Sequence, residues 1–125
     1  MANLKRNMIE LVKNPDEANK GGEIETERFW TPVHIPLKVM YEALDLSEEM
    51  ANIESGKSKK SFRDAMDLMM DFIANKAYNG QFTKDDLLER LHAPDAINTL
   101  QEQIGFIASG ETSESTKNWM AKQKN

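Results

Sequence analysis

KKSFRDAMDLMMDFIANKAY, residues 59–78, carries apolar side chains at the three- and four-residue spacing of an amphipathic helix. The apolar positions cover more than half of the helix circumference, which is typical of a helix that is packed on several sides. We therefore predict the central helix of a helical domain here, capped by Ser58 or Ser61 and ended by Asn79-Gly80. Its main apolar stripe is Phe62, Ala65, Met66, Met69, Ile73 and Ala77, widened by Leu68, Met70 and Phe72.

Two more helices are predicted on the C-terminal side of this stretch. Thr83 caps a short helix, and Ala93-Pro94-Asp95 begins a longer one that ends at Ser109-Gly110. Residues 111–125 are polar apart from Trp119 and Met120, so we expect a flexible tail in which a helix from Thr112 would be stable only when docked. The apolar residues predicted to face inward are Leu87, Leu88 and Leu91 in the short helix and Ile97, Leu100, Ile104, Ile107 and Ala108 in the long one.

On the N-terminal side, Pro36 suits the first turn of a helix that Ser55-Gly56 ends. A second apolar stripe, Leu37, Met40 and Leu44, predicts that the first half of this helix is buried on two sides. The main stripe of the helix is Val39, Ala43, Leu46, Met50 and Ile53.

The first 35 residues contain prolines and a glycine pair instead of a clear period. Pro32 and Pro36 hold their preceding residues in extended conformations, and Gly21-Gly22 lies in a polar stretch that we expect to be a loop. Residues 3–14 fit either a helix or a short strand, and periodicity does not decide between them.

The whole pattern predicts a mainly α fold. It would be a small bundle of about four to five helices with an extended or short β N-terminal segment and a flexible C-terminal tail. A chain of 125 residues has the length of one domain, so we assign residues 1–110 to a single helical domain, with its extended N-terminal region at 1–35, and residues 111–125 to the tail.

The amino-acid composition excludes several classes of functional site and disfavours some binding partners. There is no cysteine, which excludes thiolate metal sites, disulfides and cysteine nucleophiles, and a net charge of −5 argues against binding to nucleic acid through clustered cations. The apolar runs are too short for a membrane span, and charged residues interrupt any signal-peptide core near the N-terminus. We expect a soluble cytoplasmic protein with no membrane partner.

No catalytic or metal-binding motif is present in the sequence. His34 and His92 lie in different segments without a metal-ligand spacing, and Gly21-Gly22 lacks the residues of a phosphate loop. Asp64, Asp67 and Asp71 share one helix face, for which solvation is a simpler explanation than a metal ion. We predict a protein that is not an enzyme, with no catalytic, metal-binding or cofactor-binding residues.

The sign of the charged residues changes from negative to positive across the turn between the helix that begins at Pro36 and the central helix. The basic cluster Lys57, Lys59, Lys60 and Arg63 follows the acids Asp45, Glu48, Glu49 and Glu54. Attraction across the turn explains the cluster better than a nucleic-acid patch does.

Four apolar residues are candidates for contact with a partner, because each lies off the main stripe of its own segment. They are Met70, Phe106, Trp119 and Met120. Methionines adapt to varied apolar partners, although Met66 and Met69 fit the core better.

Six groups of motifs follow one another along the chain: LKRNMIEL (4–11), WTP (30–32) with IP (35–36), YEALDL (41–46), YNGQFT (78–83) with DLL (86–88), LHAPDA (91–96) and IGFIASG (104–110). None of them has a catalytic rationale, and several are helix starts or stops. In these motifs and their order the chain resembles the tail assembly chaperones of long-tailed, siphovirus-like phages and prophages of Gram-positive bacteria.

The resemblance implies a non-structural morphogenesis factor that keeps the tape measure protein soluble until tail tube subunits polymerise around it. It places such a protein in the host bacterial cytoplasm and outside the mature virion. It also implies a second, C-terminally extended product of programmed frameshifting that recruits the tail tube protein. Gln123-Lys124-Asn125 permits a slippery A AAA AAC heptamer through the codons CAA, AAA and AAC. Self-association into a homo-oligomer is compatible with the role.

Two rival functions remain open at this point. A small phage or prophage regulator would bind nucleic acid through a helical motif beginning at residues 57–63, which the negative net charge disfavours. A small enzyme would use the Asp64–Asp67–Asp71 face with a divalent ion, which the lack of ligand spacing disfavours.

Overall fold

The computed structural model describes residues 4–123 and is mainly helical with a small N-terminal sheet, which confirms the predicted fold class. Asn3, at the start of the first predicted segment, and Lys124-Asn125, at the end of the predicted tail, lie outside the described residues. The elements are β1 (Met8–Val12), α1 (Pro15–Asn19), β2 (Thr26–Trp30), α2 (Leu37–Glu54), α3 (Phe62–Phe72) with a π-helical continuation (Ile73–Ala77), α4 (Lys84–Arg90), α5 (Ala93–Ser109) and α6 (Glu114–Gln123).

Helix α3 begins and ends where local signals predict. The Ser61 hydroxyl accepts a hydrogen bond from the Asp64 backbone N–H over 3.2 Å, and the Asp64 carboxylate accepts one from the Ser61 N–H over 2.9 Å. This reciprocal capping box satisfies donors that the helix itself leaves unpaired. Asn79 and Gly80 then stop the helix with positive φ angles of 57° and 81°.

The last turn of this helix is wider than the sequence predicts. The Tyr78 N–H donates to the Ile73 carbonyl five residues earlier, over 3.0 Å, as in a π-helix. Ile73, Ala74 and Ala77 of this turn are all buried, together with Tyr78.

The core lies among α2, α3 and α5 but includes the N-terminal strand as well. Ile9 and Leu11 of β1 are each 1 % exposed and belong to the same buried cluster as Ala43, Ile73 and Ile104. The core therefore extends beyond the predicted helices to the N-terminal strand.

The open choice for the first segment is decided in favour of a strand. Strand β1 pairs with β2 in antiparallel fashion, with Met8 opposite Trp30 and Val12 opposite Thr26. Pairing extends into the polar stretch predicted as a loop, because Thr26 already belongs to β2, and Pro15–Asn19 form the short helix α1.

The segment predicted as a polar tail forms α6 in its described part, which is the docked helix that the sequence allowed. The Thr116 hydroxyl oxygen accepts a hydrogen bond from the Met8 backbone N–H over 3.0 Å. Ser113 and Thr116 are both buried. A few polar contacts therefore attach the C-terminal helix to the side of β1 opposite β2.

Candidate functional site

The outer face of α2 carries large apolar side chains that no other element covers within residues 4–123. Leu37, Tyr41 and Leu44 are 62 %, 59 % and 44 % exposed, while Val39 and Ala43 on the opposite side are buried. The prediction that the first half of α2 is buried on two sides was wrong. Helical periodicity correctly identified a second apolar stripe, but it carries no information about what covers the stripe.

An open groove lies beside the N-terminal end of this face. The extended residues between the two prolines form one wall, and the last turns of α5 form another. The groove has a volume of about 300 Å³ and is lined by Leu4, Lys5, Val33, His34, Ile35, Pro36, Leu37, Met40, Phe106 and Ile107.

Groove and helix face form one apolar surface, because Leu37 belongs to both. We call Leu4, Val33, Leu37, Tyr41 and Leu44 together the apolar surface. Leu4 and Val33 are also at least half exposed. Monomeric proteins rarely leave a contiguous group of large apolar side chains in water without a partner for it.

Charged side chains lie at the two ends of the α2 face. Lys38 follows Leu37, and Lys5 lies in the groove, where its Nζ donates to the Gly110 carbonyl over 3.1 Å. Asp45 and Glu48 lie at the other end, beyond Leu44. Within residues 4–123, Lys38, Asp45 and Glu48 form no ion pair, whereas Glu42 on the neighbouring side of α2 is 3.8 Å from Lys76.

The four residues predicted to contact a partner are not brought together. Met70 and Phe106 are buried, at 5 % and 6 % exposure, so neither presents the exposed surface that the prediction assumed, although Phe106 lines the groove. Trp119 packs edge-on against Trp30, with ring centroids 5.2 Å apart, and Met120 on α6 is exposed. A partner contact at any of them remains a prediction.

Most of the apolar surface was missed by reasoning from sequence. Leu37 and Leu44 carried a signal as the second stripe of α2, but Leu4, Val33 and Tyr41 carried none that separates them from core residues. Their grouping depends on the path of the chain around α5, which no local pattern encodes.

A buried polar cluster fixes the elements behind the groove. The Asn7 carboxamide oxygen accepts from the Ser113 N–H over 3.0 Å and from the Thr116 hydroxyl over 2.7 Å. Gln103 accepts from the hydroxyl of Tyr78 and donates to the Met8 carbonyl over 2.9 Å. Burial raises the pKa of Tyr78 far above its ordinary value, so its hydroxyl stays neutral. This cluster has a structural role, because each of its groups is occupied by another.

The aspartates of α3 are engaged within the protein. Asp64 caps α3, and its bond from the Ser61 N–H lowers the pKa of the carboxyl group. Lys84 Nζ lies 3.3 Å from Asp67 and 3.9 Å from Asp71. Over residues 4–123, no group of three or more metal-ligating side chains is assembled.

The predicted attraction across the turn between α2 and α3 is confirmed at one pair. Lys60 Nζ is 3.8 Å from Glu49, whose carboxylate also accepts from the Ser58 hydroxyl over 3.0 Å.

In the part of the chain that the structure describes, no helix is both long and apolar enough to cross a membrane.

The family model described as Phage tail chaperone protein matches residues 3–124, which is nearly the whole chain. No curated protein and no solved structure is significantly similar to it. The match covers both strands, every described helix and the apolar surface. This chain therefore belongs to the phage tail chaperone protein family.

Proposed function

We propose that this protein binds the tape measure protein of a long-tailed phage and keeps it soluble during tail assembly, without catalysing a reaction. The observation that carries the proposal is the apolar surface, which joins a groove to an exposed helix face. Family membership supplies the setting, tail assembly, in which such a surface has a use.

The shape of the surface suits a helical client. Leu37, Tyr41 and Leu44 follow one another at spacings of four and three residues, which is the spacing of one side of a helix–helix contact. A tape measure protein presents long amphipathic helices, so many copies of a small chaperone would bind along it through similar contacts. Modest affinity at each copy is then sufficient.

The same proposal includes the chaperone's other expected associations. The tail tube protein would be recruited mainly by a C-terminally extended frameshift product, and copies of the chain would self-associate on the client. We place the activity in the cytoplasm of a Gram-positive host and outside the mature virion. The acidic surface, at a net charge of −5, would help to keep the coated client in solution.

Co-expression with the cognate tape measure protein tests the proposal. We expect a soluble complex on size exclusion, and insoluble tape measure protein when the chain is omitted. Leu37→Asp combined with Leu44→Asp should abolish the complex, because both changes place charge on the apolar surface. Leu88→Asp is the matched control, since Leu88 is a similarly exposed leucine on α4, 56 % exposed, outside that surface.

Two outcomes would contradict the proposal. The first is a tape measure protein that is equally soluble with and without the chain. The second is equal loss of the complex in the α2 double variant and in the Leu88 control, since loss of the complex would then be unrelated to the apolar surface.

A further inference from the structure

The charges at the ends of the α2 face differ in sign, and this difference bears on the kind of helix that the face accepts. Lys38 lies at the N-terminal end beside Leu37, with Lys5 in the adjoining groove. Asp45 and Glu48 lie at the C-terminal end, past Leu44. All four side chains are exposed.

These charges are placed to reach a bound helix. Lys38 and Glu48 are ten residues apart along α2, or roughly 15 Å at the rise of an α-helix. A partner helix of about three turns along the stripe would therefore have one end beside the lysines and the other beside the acids. The ion pairs nearby, Lys76–Glu42 and Lys60–Glu49, engage two other acids of α2, whereas Lys38, Asp45 and Glu48 form no ion pair within residues 4–123.

We propose that the apolar surface selects amphipathic helices that carry opposite charges at the two ends of their apolar stripe, binding with the acidic end at Lys5 and Lys38 and the basic end at Asp45 and Glu48. The inference rests on the proposed function, because it concerns the same surface and the same class of client. Because the lysines and the acids lie at opposite ends of the face, a bound helix with the complementary charges would bind in one direction along α2.

Three synthetic helical peptides with one leucine stripe test the inference: one bipolar, one with only acidic flanks and one with only basic flanks. Fluorescence anisotropy at low salt should give the bipolar peptide an advantage of about two- to fivefold over each of the others, because exposed ion pairs contribute modestly. The advantage should shrink in about 0.5 M salt, where exposed charges are screened.

Charge-reversal variants remove the charge preference at one end at a time. Lys38→Glu sets an acid beside Lys5 and should abolish the advantage of the bipolar peptide over the basic one, while Glu48→Lys sets a base beside Asp45 and should abolish its advantage over the acidic one. Glu89→Lys is the matched control: it makes the same change in net charge as Glu48→Lys at an exposed position of α4, and it should keep the wild-type order.

The chain has no cysteine, so a single introduced thiol reports the direction of the bound helix. A bipolar peptide with a thiol-reactive group at its basic end should label Ser47→Cys faster than Val33→Cys. Equal labelling, or equal affinity of the three peptides, would overturn the inference while leaving the proposed function intact, provided that Leu44→Asp still weakens binding.

Two further results of these experiments would also overturn the inference. If none of the peptides binds, both the inference and the assignment of the client to this surface are overturned. If the chain alone is a dimer in sedimentation and Leu44→Asp makes it monomeric, a second copy covers the face and the inference is likewise overturned.

Discussion

Asn7 and Gln103 are hydrogen-bonded side chain to side chain, with Asn7 Nδ2 donating to Gln103 Oε1 over 3.2 Å across a separation of 96 residues. Asn7 precedes β1, and Gln103 lies in the middle of α5. Both are almost fully buried, and the hydroxyl of Tyr78 donates to the same Gln103 oxygen. This pair therefore joins the segment before β1 to the helical core, close in sequence to Leu4 and Lys5, which line the groove.

Replacing Asn7 should destabilise the protein strongly. Asn7→Ala removes the buried acceptor of both the Ser113 N–H and the Thr116 hydroxyl, at an expected cost of about 2 kcal/mol or more. Urea unfolding followed by circular dichroism measures the change. Asn98→Ala, at an exposed position of α5, should cost only about 0.5 kcal/mol or less, and equal effects of the two variants would contradict the structure.

Docking of α6 should depend on the hydroxyl of Thr116. Thr116→Val keeps the shape of the side chain but removes the acceptor for the Met8 N–H and the donor to Asn7. We expect a loss of about 1–3 kcal/mol, together with faster hydrogen exchange at the Met8 amide. The comparison variant is Ser115→Val at the neighbouring exposed position. An unchanged exchange rate at Met8 in Thr116→Val would show that α6 is not docked in this way.

Gly105 inside α5 and Gly110 directly after it should respond in opposite directions to replacement by alanine. Gly110 ends the helix with φ of 77°, a conformation that disfavours a side chain, so Gly110→Ala should destabilise by about 1 kcal/mol. Gly105 lies inside the helix with open space around its Cα, so Gly105→Ala should stabilise by about 0.5–1 kcal/mol. Thermal unfolding of the two variants measures both signs, and destabilisation by Gly105→Ala would be inconsistent with the open space.

Stability should fall at acidic pH through the cap of α4. The Thr83 N–H donates to the Asp86 carboxylate over 2.9 Å, and this bond lowers the pKa of Asp86 below its ordinary value of 3.8. Because the folded state lowers this pKa, the stabilisation is present above about pH 4 and is lost as the pH falls through the lower folded value.

Unfolding measured from pH 6 to pH 2 tests this prediction. Asp86→Ala should lose part of the wild-type dependence on pH, since it removes the carboxylate whose pKa differs between the two states. The control is Asp85→Ala, which leaves the capping bonds of Thr83 in place. Identical pH profiles for wild type and Asp86→Ala would refute the assignment.

Local sequence was sufficient for the helices of the core. Ser61 and Thr83 each begin a helix through bonds to a residue three positions away, and Gly110 ends one within a single turn. Such signals act over a few residues, so all of the residues that form them lie close together in the sequence. The wide turn at Ile73–Ala77 was not predicted, because the usual helical period does not mark it.

The candidate surface could be predicted only in part. Periodicity found Leu37 and Leu44 as a second stripe but assigned them to the interior, and it treated Phe62, Leu88 and Ile97 in the same way although all three are exposed. Conversely, Met70 and Phe106 were set apart as partner contacts and are buried. A helix pattern indicates which residues share a face, but burial depends on the elements that pack against that face.

The sequence by itself determined the mainly helical class, the boundaries of most helices and the family, because composition, caps and ordered motifs are properties of neighbouring residues. Only the tertiary structure decided that residues 8–12 are a strand, that α6 docks and that the apolar surface is open. Each of these depends on contacts between distant parts of the chain, such as Thr116 with Asn7 across 109 residues. Long-range contacts decide between local conformations of similar energy, and local patterns do not specify them.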